Sequence, residues 1–186
     1  IRFSSFSMLG YNLYSATNNV VAGKYQLFIE ATGGEYFNHA DLMKATANYW
    51  KMIKDFLADV YLPYSTSKMS LLMETFNIGQ HWKENIRNSR AYKSALHTVG
   101  SKLNSSFLLE MGEHYIQMLG ALSYLSHYKL YKDPIQKDKD GNITNKDFIS
   151  LLDALTEHIT KDKNGNVIST DLIINDKYKN FYTKDN

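Results

Sequence analysis

The sequence predicts a mainly α-helical fold, in which a multi-helix segment is followed by a small α+β appendage arranged as hairpin, helix and hairpin. Apolar residues recur at three- and four-residue intervals over residues 38–61 and 106–130, which is the helical period. After Asp133-Pro134 this pattern gives way to short β-prone runs beside two glycine turns. We therefore place a domain boundary near residue 132, between a helical segment, 1–132, and an appendage, 133–186.

The first part of the chain predicts helices separated by turn residues. Residues 8–29 are largely apolar and predict one or two helices, which Gly33-Gly34 ends. The clearest helix is predicted from Asn38 to Tyr61. Asn38 is a suitable N-cap for it, and Asp41 in its first turn is favourable to the helix dipole.

Two shorter helices are predicted over residues 68–76 and 81–99. A second long helix follows them, from about Ser106 to about Leu130, and ends before the break at Asp133. Its apolar stripe is wide enough to require partners on two sides. We therefore expect either the central helix of a bundle or an element held between subunits, and we expect the chain to self-associate or to be poorly soluble. The stripe consists of Leu108, Met111, Tyr115, Met118, Leu122 and Leu125.

Composition limits the possible functions. With 186 residues, of which 44% are hydrophobic, the chain can bury a sizeable core. The absence of cysteine excludes disulfides, thiolate nucleophiles and cysteine-ligated metals. A formal charge of +2 is too small to indicate a polyanionic partner for the whole chain, and no apolar run is long enough to predict a membrane span. Because the chain opens on Ile1, we expect it to be a segment of a longer polypeptide.

A near-repeat is the sharpest motif in the sequence. Residues 137–142 read Lys-Asp-Lys-Asp-Gly-Asn, and residues 161–166 read Lys-Asp-Lys-Asn-Gly-Asn. Asp-Gly and Asn-Gly are strong signals for two-residue hairpin turns, and this is the favoured interpretation. It predicts positive φ angles at Gly141 and Gly165, and it treats the aspartates as solvated residues whose replacement by alanine is nearly silent.

The alternative interpretation of the same segments is a weak calcium-binding module of EF-hand or dockerin type. Such a loop needs oxygen ligands at alternate positions before its glycine and a carboxylate at position 12. Both segments depart from the pattern, because position 1 is Gln136 or Thr160 and position 12 is Asp in place of Glu. The candidate ligands are Asp138, Asp140 and Asp147 in the first loop, and Asp162, Asn164 and Asp171 in the second.

A basic face on the predicted helix 81–99 offers a third interpretation, nucleic-acid binding. At about 100° per residue, four cations fall within one arc of about 120° that a phosphate backbone would fit. A solvated helix face that meets acidic neighbours explains the same pattern. The four residues are Lys83, Arg87, Arg90 and Lys93.

Catalytic motifs are absent from the sequence. There is no GxSxG, no Walker loop and no GxGxxG, and no two histidines stand at the i, i+4 spacing of a zinc-binding helix. Glu110 and His114 could meet across one helical turn. We interpret this pair as a polar edge of the helix and not as part of a set of metal ligands. We therefore predict neither enzymatic activity nor a cofactor.

One stretch resembles a known group of proteins. It runs from Asn19 to Ala31 and continues from Gly33 to Leu42. This stretch, together with the Lys-Asp-Lys-Asn-Gly-Asn turn, is similar to segments of the very large internal virion proteins of crAss-like tailed phages. The resemblance implies a mostly helical cargo or ejection protein, held in the capsid or tail and delivered with packaged DNA. The broad apolar helix faces and the missing catalytic motifs predict a structural or interaction module of a larger assembly, with other protein subunits or the rest of a longer chain as partners. No catalytic residue carries over.

Overall fold

A computed structural model describes residues 2–59, 66–79, 105–144 and 147–178. Within these ranges the fold is mainly α-helical with a small strand appendage at its C-terminal end, as the sequence predicts. The helices are α1 (Arg2–Gly33), α2 (His39–Asp59), α3 (Lys68–Thr75), α4 (Ser105–His127) and α5 (Leu151–Ala154). The strands are β1 (Lys129–Tyr131), β2 (Phe148–Ser150), β3 (Leu155–Lys161) and β4 (Val167–Ile174), and a 3-10 turn, Asp176–Tyr178, follows them.

Local signals set the ends of α1 and α2. The predicted apolar segment 8–29 lies within one continuous helix, α1, and Gly34 ends it with a φ of 69° while its N–H donates to the carbonyl of Glu30 at 3.1 Å. At the start of α2, the Asp41 N–H donates to Oδ1 of Asn38 at 3.1 Å, and the Asn38 N–H donates to Oδ2 of Asp41 at 3.2 Å. This reciprocal pair is a capping box, which confirms the predicted cap.

Asp59, the last residue of α2, fixes the start of α3. Its buried carboxylate accepts from the backbone N–H groups of Thr66 at 2.9 Å and Ser67 at 2.6 Å, and from the Thr66 hydroxyl at 2.5 Å. Burial raises the pKa of Asp59, but the hydrogen bonds from Thr66 and Ser67 outweigh it, so the pKa is lowered. Ser67 is in turn the N-cap of α3 and accepts from the Ser70 N–H.

The central helix of the bundle is α4, which packs against α1 on one side and α2 on the other. The part of its predicted stripe from Tyr115 to Leu125 is covered within the chain, since Met118, Leu122 and Leu125 are buried and Tyr115 is half-buried, whereas Met111 is exposed. The core that they join also contains Ala45, Tyr49, Phe56, Met69, Leu72, Met73, Ile78, Leu119 and Leu152. Of the two predicted roles for this helix, the structure has the one at the centre of the bundle.

Small residues let α1 approach α4 closely. A Cβ atom added to Gly23 on α1 would lie 2.8 Å from the side chain of Ile116, and one added to Gly112 on α4 would lie 2.8 Å from that of Val20. Both distances are shorter than normal contacts, so a larger residue at either position would force the facing side chain to move or the two helices apart. Gly120 is looser, since an added Cβ there would be 3.6 Å from Leu27.

The appendage is two antiparallel hairpins joined by the four-residue helix α5. β1 pairs with β2, and β3 pairs with β4 from Leu155 opposite Ile174 to Lys161 opposite Val167. The predicted helix between the hairpins, 148–159, is wrong over most of its length. Residues 155–159 belong to β3, because their backbone groups pair with β4 and that long-range pairing overrides a short helical pattern.

Two lysines tie the appendage to the helices. Nζ of Lys44, on α2, lies 2.5 Å from Oδ2 of Asp153 and donates to Oγ of Ser150 at 3.0 Å. Nζ of Lys68, on α3, donates to the carbonyls of Leu152 and Leu155 at the C-terminal end of α5. These contacts, together with Leu152 in the shared core, hold the appendage against the bundle. The predicted boundary at residue 132 falls inside the first hairpin.

None of the helices in the described ranges combines the length and the apolar character needed to cross a membrane.

Candidate functional site

The first of the twin turns is built around the carboxylate of Asp138. Oδ1 accepts from the backbone N–H groups of Asp140 at 2.9 Å and Asn142 at 2.8 Å, and Oδ2 accepts from the Asn142 amide at 3.4 Å. Backbone bonds close the turn, from the Asp138 N–H to the Asn142 carbonyl at 2.9 Å and from the Gly141 N–H to the Asp138 carbonyl at 3.1 Å. The hydrogen bonds from Asn142 lead those that lower the pKa of Asp138.

The second turn repeats this geometry with Asp162 in the place of Asp138. Its Oδ1 accepts from the N–H groups of Asn164 and Asn166, both at 2.8 Å, and its Oδ2 accepts from the Asn166 amide at 3.0 Å. The hydrogen bond from the Asn166 side chain leads those that lower the pKa of Asp162. Two segments far apart in the chain thus form the same turn because they carry the same five-residue pattern.

These turns confirm one part of the sequence prediction and correct another. Gly141 and Gly165 have φ angles of 81° and 86°, as predicted. The loops, however, contain three residues and not two, since each is a type I turn followed by a glycine in the left-handed region. The aspartates are also more than solvated residues, because each carboxylate accepts the N–H groups that the turn would otherwise leave unpaired.

The remaining candidate calcium ligands lie apart from the turns. Asp171 is opposite His158 in β4, about 13 Å along the strand from the turn residue Asp162 at about 3.3 Å per residue. The Asp147 carbonyl accepts from the Lys132 N–H at 2.9 Å, next to the paired part of the first hairpin. In the described ranges no group of three or more His, Cys, Asp or Glu residues is placed to hold a metal ion. Calcium binding stays a prediction.

The predicted basic face of Lys83, Arg87, Arg90 and Lys93 lies outside the described residues, as does the whole predicted helix 81–99. Nucleic-acid binding by this face stays a prediction.

His114, for which the sequence analysis preferred a polar edge to a ligand set, occupies a buried polar position. Its Nε2 lies 3.1 Å from Sδ of Met73, its Nδ1 lies 3.5 Å from Oη of Tyr49, and its ring stacks on Phe56 with 5.7 Å between centroids. Burial lowers the pKa of His114 to about 4 and raises the pKa of Tyr49. The histidine is therefore neutral at pH 7 and forms part of the core.

The exposed apolar residues of α1 form a surface that the sequence analysis did not single out. Ala16, Val20, Gly23 and Leu27 lie on the side of α1 that meets α4. A second set lies about 150° around the helix from them, at about 100° per residue. This set, the outer face of α1, consists of Tyr14, Val21, Tyr25, Phe28 and Ile29, and all five side chains are exposed.

Comparisons with protein-family models, with curated proteins and with solved structures found no match for this chain.

Proposed function

We propose that the chain is a structural or interaction module of a larger assembly, and that it binds a neighbouring protein surface through the outer face of α1. The resemblance of residues 19–42 to internal virion proteins of crAss-like tailed phages suggests a virion as that assembly. Other protein subunits, or further parts of a longer parent chain, are the proposed partners.

The exposed apolar side chains on one side of α1 carry this proposal. A helix that packs on its protein with one stripe normally presents polar residues on the opposite side. Here the opposite side carries three aromatic and two aliphatic side chains, all at least half exposed. Exposed apolar residues gathered on one surface are typical of interaction sites, and aromatic residues are enriched in them.

The described part of the bundle leaves most of this face uncovered, although the Phe28 ring lies 4.4 Å from that of His39 at the start of α2. The core is filled by α4 with residues of α1, α2, α3 and α5, and the close contacts at Gly23 and Gly112 lie on the other side of α1. The outer face is therefore available to a partner without rearrangement of the helices.

Cysteine labelling tests the proposal, because the natural chain has no cysteine. Val21→Cys places one thiol on the outer face, and Ile168→Cys places one on β4 as a matched control, since the two aliphatic residues are 61% and 66% exposed. In the dilute purified chain both thiols should react with maleimide at similar rates. In an extract of the native source, the thiol of Val21→Cys should be protected and that of Ile168→Cys should not; equal labelling of both there would contradict the proposal.

A further inference from the structure

The spacing along the outer face of α1 is that of a two-stranded coiled coil. Six residues follow one another at alternating intervals of four and three: Tyr14, Asn18, Val21, Tyr25, Phe28 and Thr32. In heptad terms, Tyr14, Val21 and Phe28 occupy the d positions, and Asn18, Tyr25 and Thr32 occupy the a positions. Ile29 lies beside this row at an e position.

We infer that the partner of this face is the α1 helix of a second copy of the chain, packed parallel and in register. This inference rests on the proposed function, and it names the occupant of the same surface.

Asn18 favours this arrangement over other helical partners. It is an exposed polar residue between two apolar layers of the row. A single asparagine at an a position weakens a coiled coil, but it fixes a parallel dimer in register because the two amides can hydrogen-bond only to each other across the axis. Between Tyr14 and Phe28 it is the one polar residue at an a or d position.

Charge also permits two copies to meet. Between residues 14 and 32 the charged residues of α1 are Lys24 and Glu30. Glu30 is at an f position, away from the row. Lys24 flanks the row at a g position, but its Nζ lies 5.1 Å from the ring centroid of Tyr115 in the same chain. The paired helices would therefore bring no like charges together in the contact.

The available area indicates a weak, reversible dimer. Tyr14 and Tyr25 are each 68% exposed, and Phe28 is 55% exposed. An aromatic side chain buries 150–250 Å², so each copy offers about 350 Å² of ring surface, and Val21 with Ile29 raises this to about 500 Å². A pair would bury at most about 1,000 Å², which is less than the roughly 1,200–2,000 Å² of stable specific interfaces and falls in the range of weak, transient ones.

The row ends where α1 meets α2. The Phe28 ring lies 4.4 Å from the His39 ring, and Oγ1 of Thr32 lies 3.3 Å from Nε2 of His39. A parallel second helix can extend along α1 as far as this corner while each α4 remains on the side away from the partner. The close contacts between α1 and α4 at Gly23 and Gly112 lie outside the inferred contact.

Oxidative cross-linking of the full chain tests orientation and register together. In the inferred dimer, the thiols of Val21→Cys, at a d position with Asn18 retained, face each other across the axis, and oxidation should link most of the chain into a disulfide-bonded dimer. Asn19→Cys is the control, since this exposed residue is at a b position and its thiols point apart. Equal cross-linking of the two variants, or none with Val21→Cys, would overturn the parallel arrangement.

Sedimentation equilibrium supplies a second measurement that does not depend on a disulfide. The unmodified chain should shift from monomer to dimer as its concentration rises through the micromolar range. Tyr25→Glu should weaken this association at least tenfold, whereas Gln26→Glu, an exposed neighbour off the row, should leave it unchanged. A chain that stays monomeric at every concentration would overturn the second copy as partner.

The two proposals fail separately. A monomeric chain whose thiol in Val21→Cys is still protected in native extract would show that another protein occupies the face, which refutes only the dimer. Equal labelling of Val21→Cys and Ile168→Cys in extract would refute the proposed function and the dimer with it.

Discussion

Nδ1 of His127 lies 2.8 Å from Oδ2 of Asp41, and this contact joins the last turn of α4 to the first turn of α2. The buried Asp41 carboxylate also accepts from the Asn38 N–H, and Nζ of Lys129 lies 3.8 Å from its Oδ1. One side chain thus caps a helix and connects it to the central helix and to β1.

Asp41→Ala should destabilise the protein by about 2 kcal/mol, because it removes half of the capping box and leaves the groups around the carboxylate without their acceptor. Asp55→Ala, an exposed position on the same helix, is the control and should change stability by less than about 0.5 kcal/mol. Urea denaturation measures both. Equal midpoints for the two variants would show that Asp41 has no such role.

His114 predicts acid sensitivity. Its pKa is about 4 in the folded protein, below the ordinary value of 6.5, because burial disfavours the imidazolium. The unfolded chain therefore binds more protons between pH 6.5 and pH 4, and stability should fall by about 3 kcal/mol as pH decreases through this window. On acidification, the loss of stability caused by His114 begins at a higher pH than the loss caused by Asp59. The lowered pKa of Asp59 affects stability only below about pH 4.

Denaturation at a series of pH values checks this expectation in the unmodified chain and in His114→Leu. The substitution should flatten the dependence of stability on pH between pH 6.5 and pH 4, whatever the stability of the variant at pH 7. If stability still falls steeply with decreasing pH in His114→Leu, other groups cause the dependence.

The glycines between α1 and α4 predict opposite effects for the same substitution. Gly112→Ala should destabilise the fold by about 1–3 kcal/mol, because the new Cβ would lie 2.8 Å from Val20 and push the helices apart. Gly120→Ala has room, with the nearest atom of Leu27 at 3.6 Å, and should be neutral or stabilising by up to about 1 kcal/mol through helix propensity.

Thermal unfolding of the two alanine variants measures this difference. Similar losses in both would mean that helix spacing does not depend on the contact at Gly112.

The hydrogen bonds of the Asp138 and Asp162 carboxylates bear on the outcome of a calcium titration. Both carboxylates are already engaged by the N–H groups of their own turns, and Asp147 and Asp171 lie elsewhere on the hairpins. We therefore expect no saturable heat at sub-millimolar affinity when the full chain is titrated with calcium. Asp138→Ala should instead speed amide hydrogen exchange at Asp140 and Asn142, since both N–H groups lose their acceptor.

A saturable calcium heat that disappears in Asp138→Asn would contradict this expectation and would support the calcium-binding interpretation.

The sequence by itself determined the features that depend on neighbouring residues. The cap at Asn38 and the positive φ angles at Gly141 and Gly165 depend only on neighbouring residues, and the sequence predicted them. It did not predict the second bond of the capping box, from the Asn38 N–H to Asp41, or the three-residue length of the loops. The apolar period likewise located α2 and the central helix. The predicted role of the aspartates fell short, because turn preference describes the backbone and says nothing of which N–H groups the carboxylates accept.

Only the tertiary structure decided which apolar stripe is covered and which is left exposed. α1 is apolar on two opposite sides, and its period cannot indicate which side meets α4; the glycines at 23 and 112 mark that side only once the two helices are placed together. Met118, Leu122 and Leu125 of the α4 stripe are buried within the chain, and residues 155–159 became a strand through pairing with β4. Association of the chain stays a prediction. The burial of His114 was likewise decided by the tertiary structure. Each depends on contacts between residues distant in sequence, whose free energy exceeds that of the local preference.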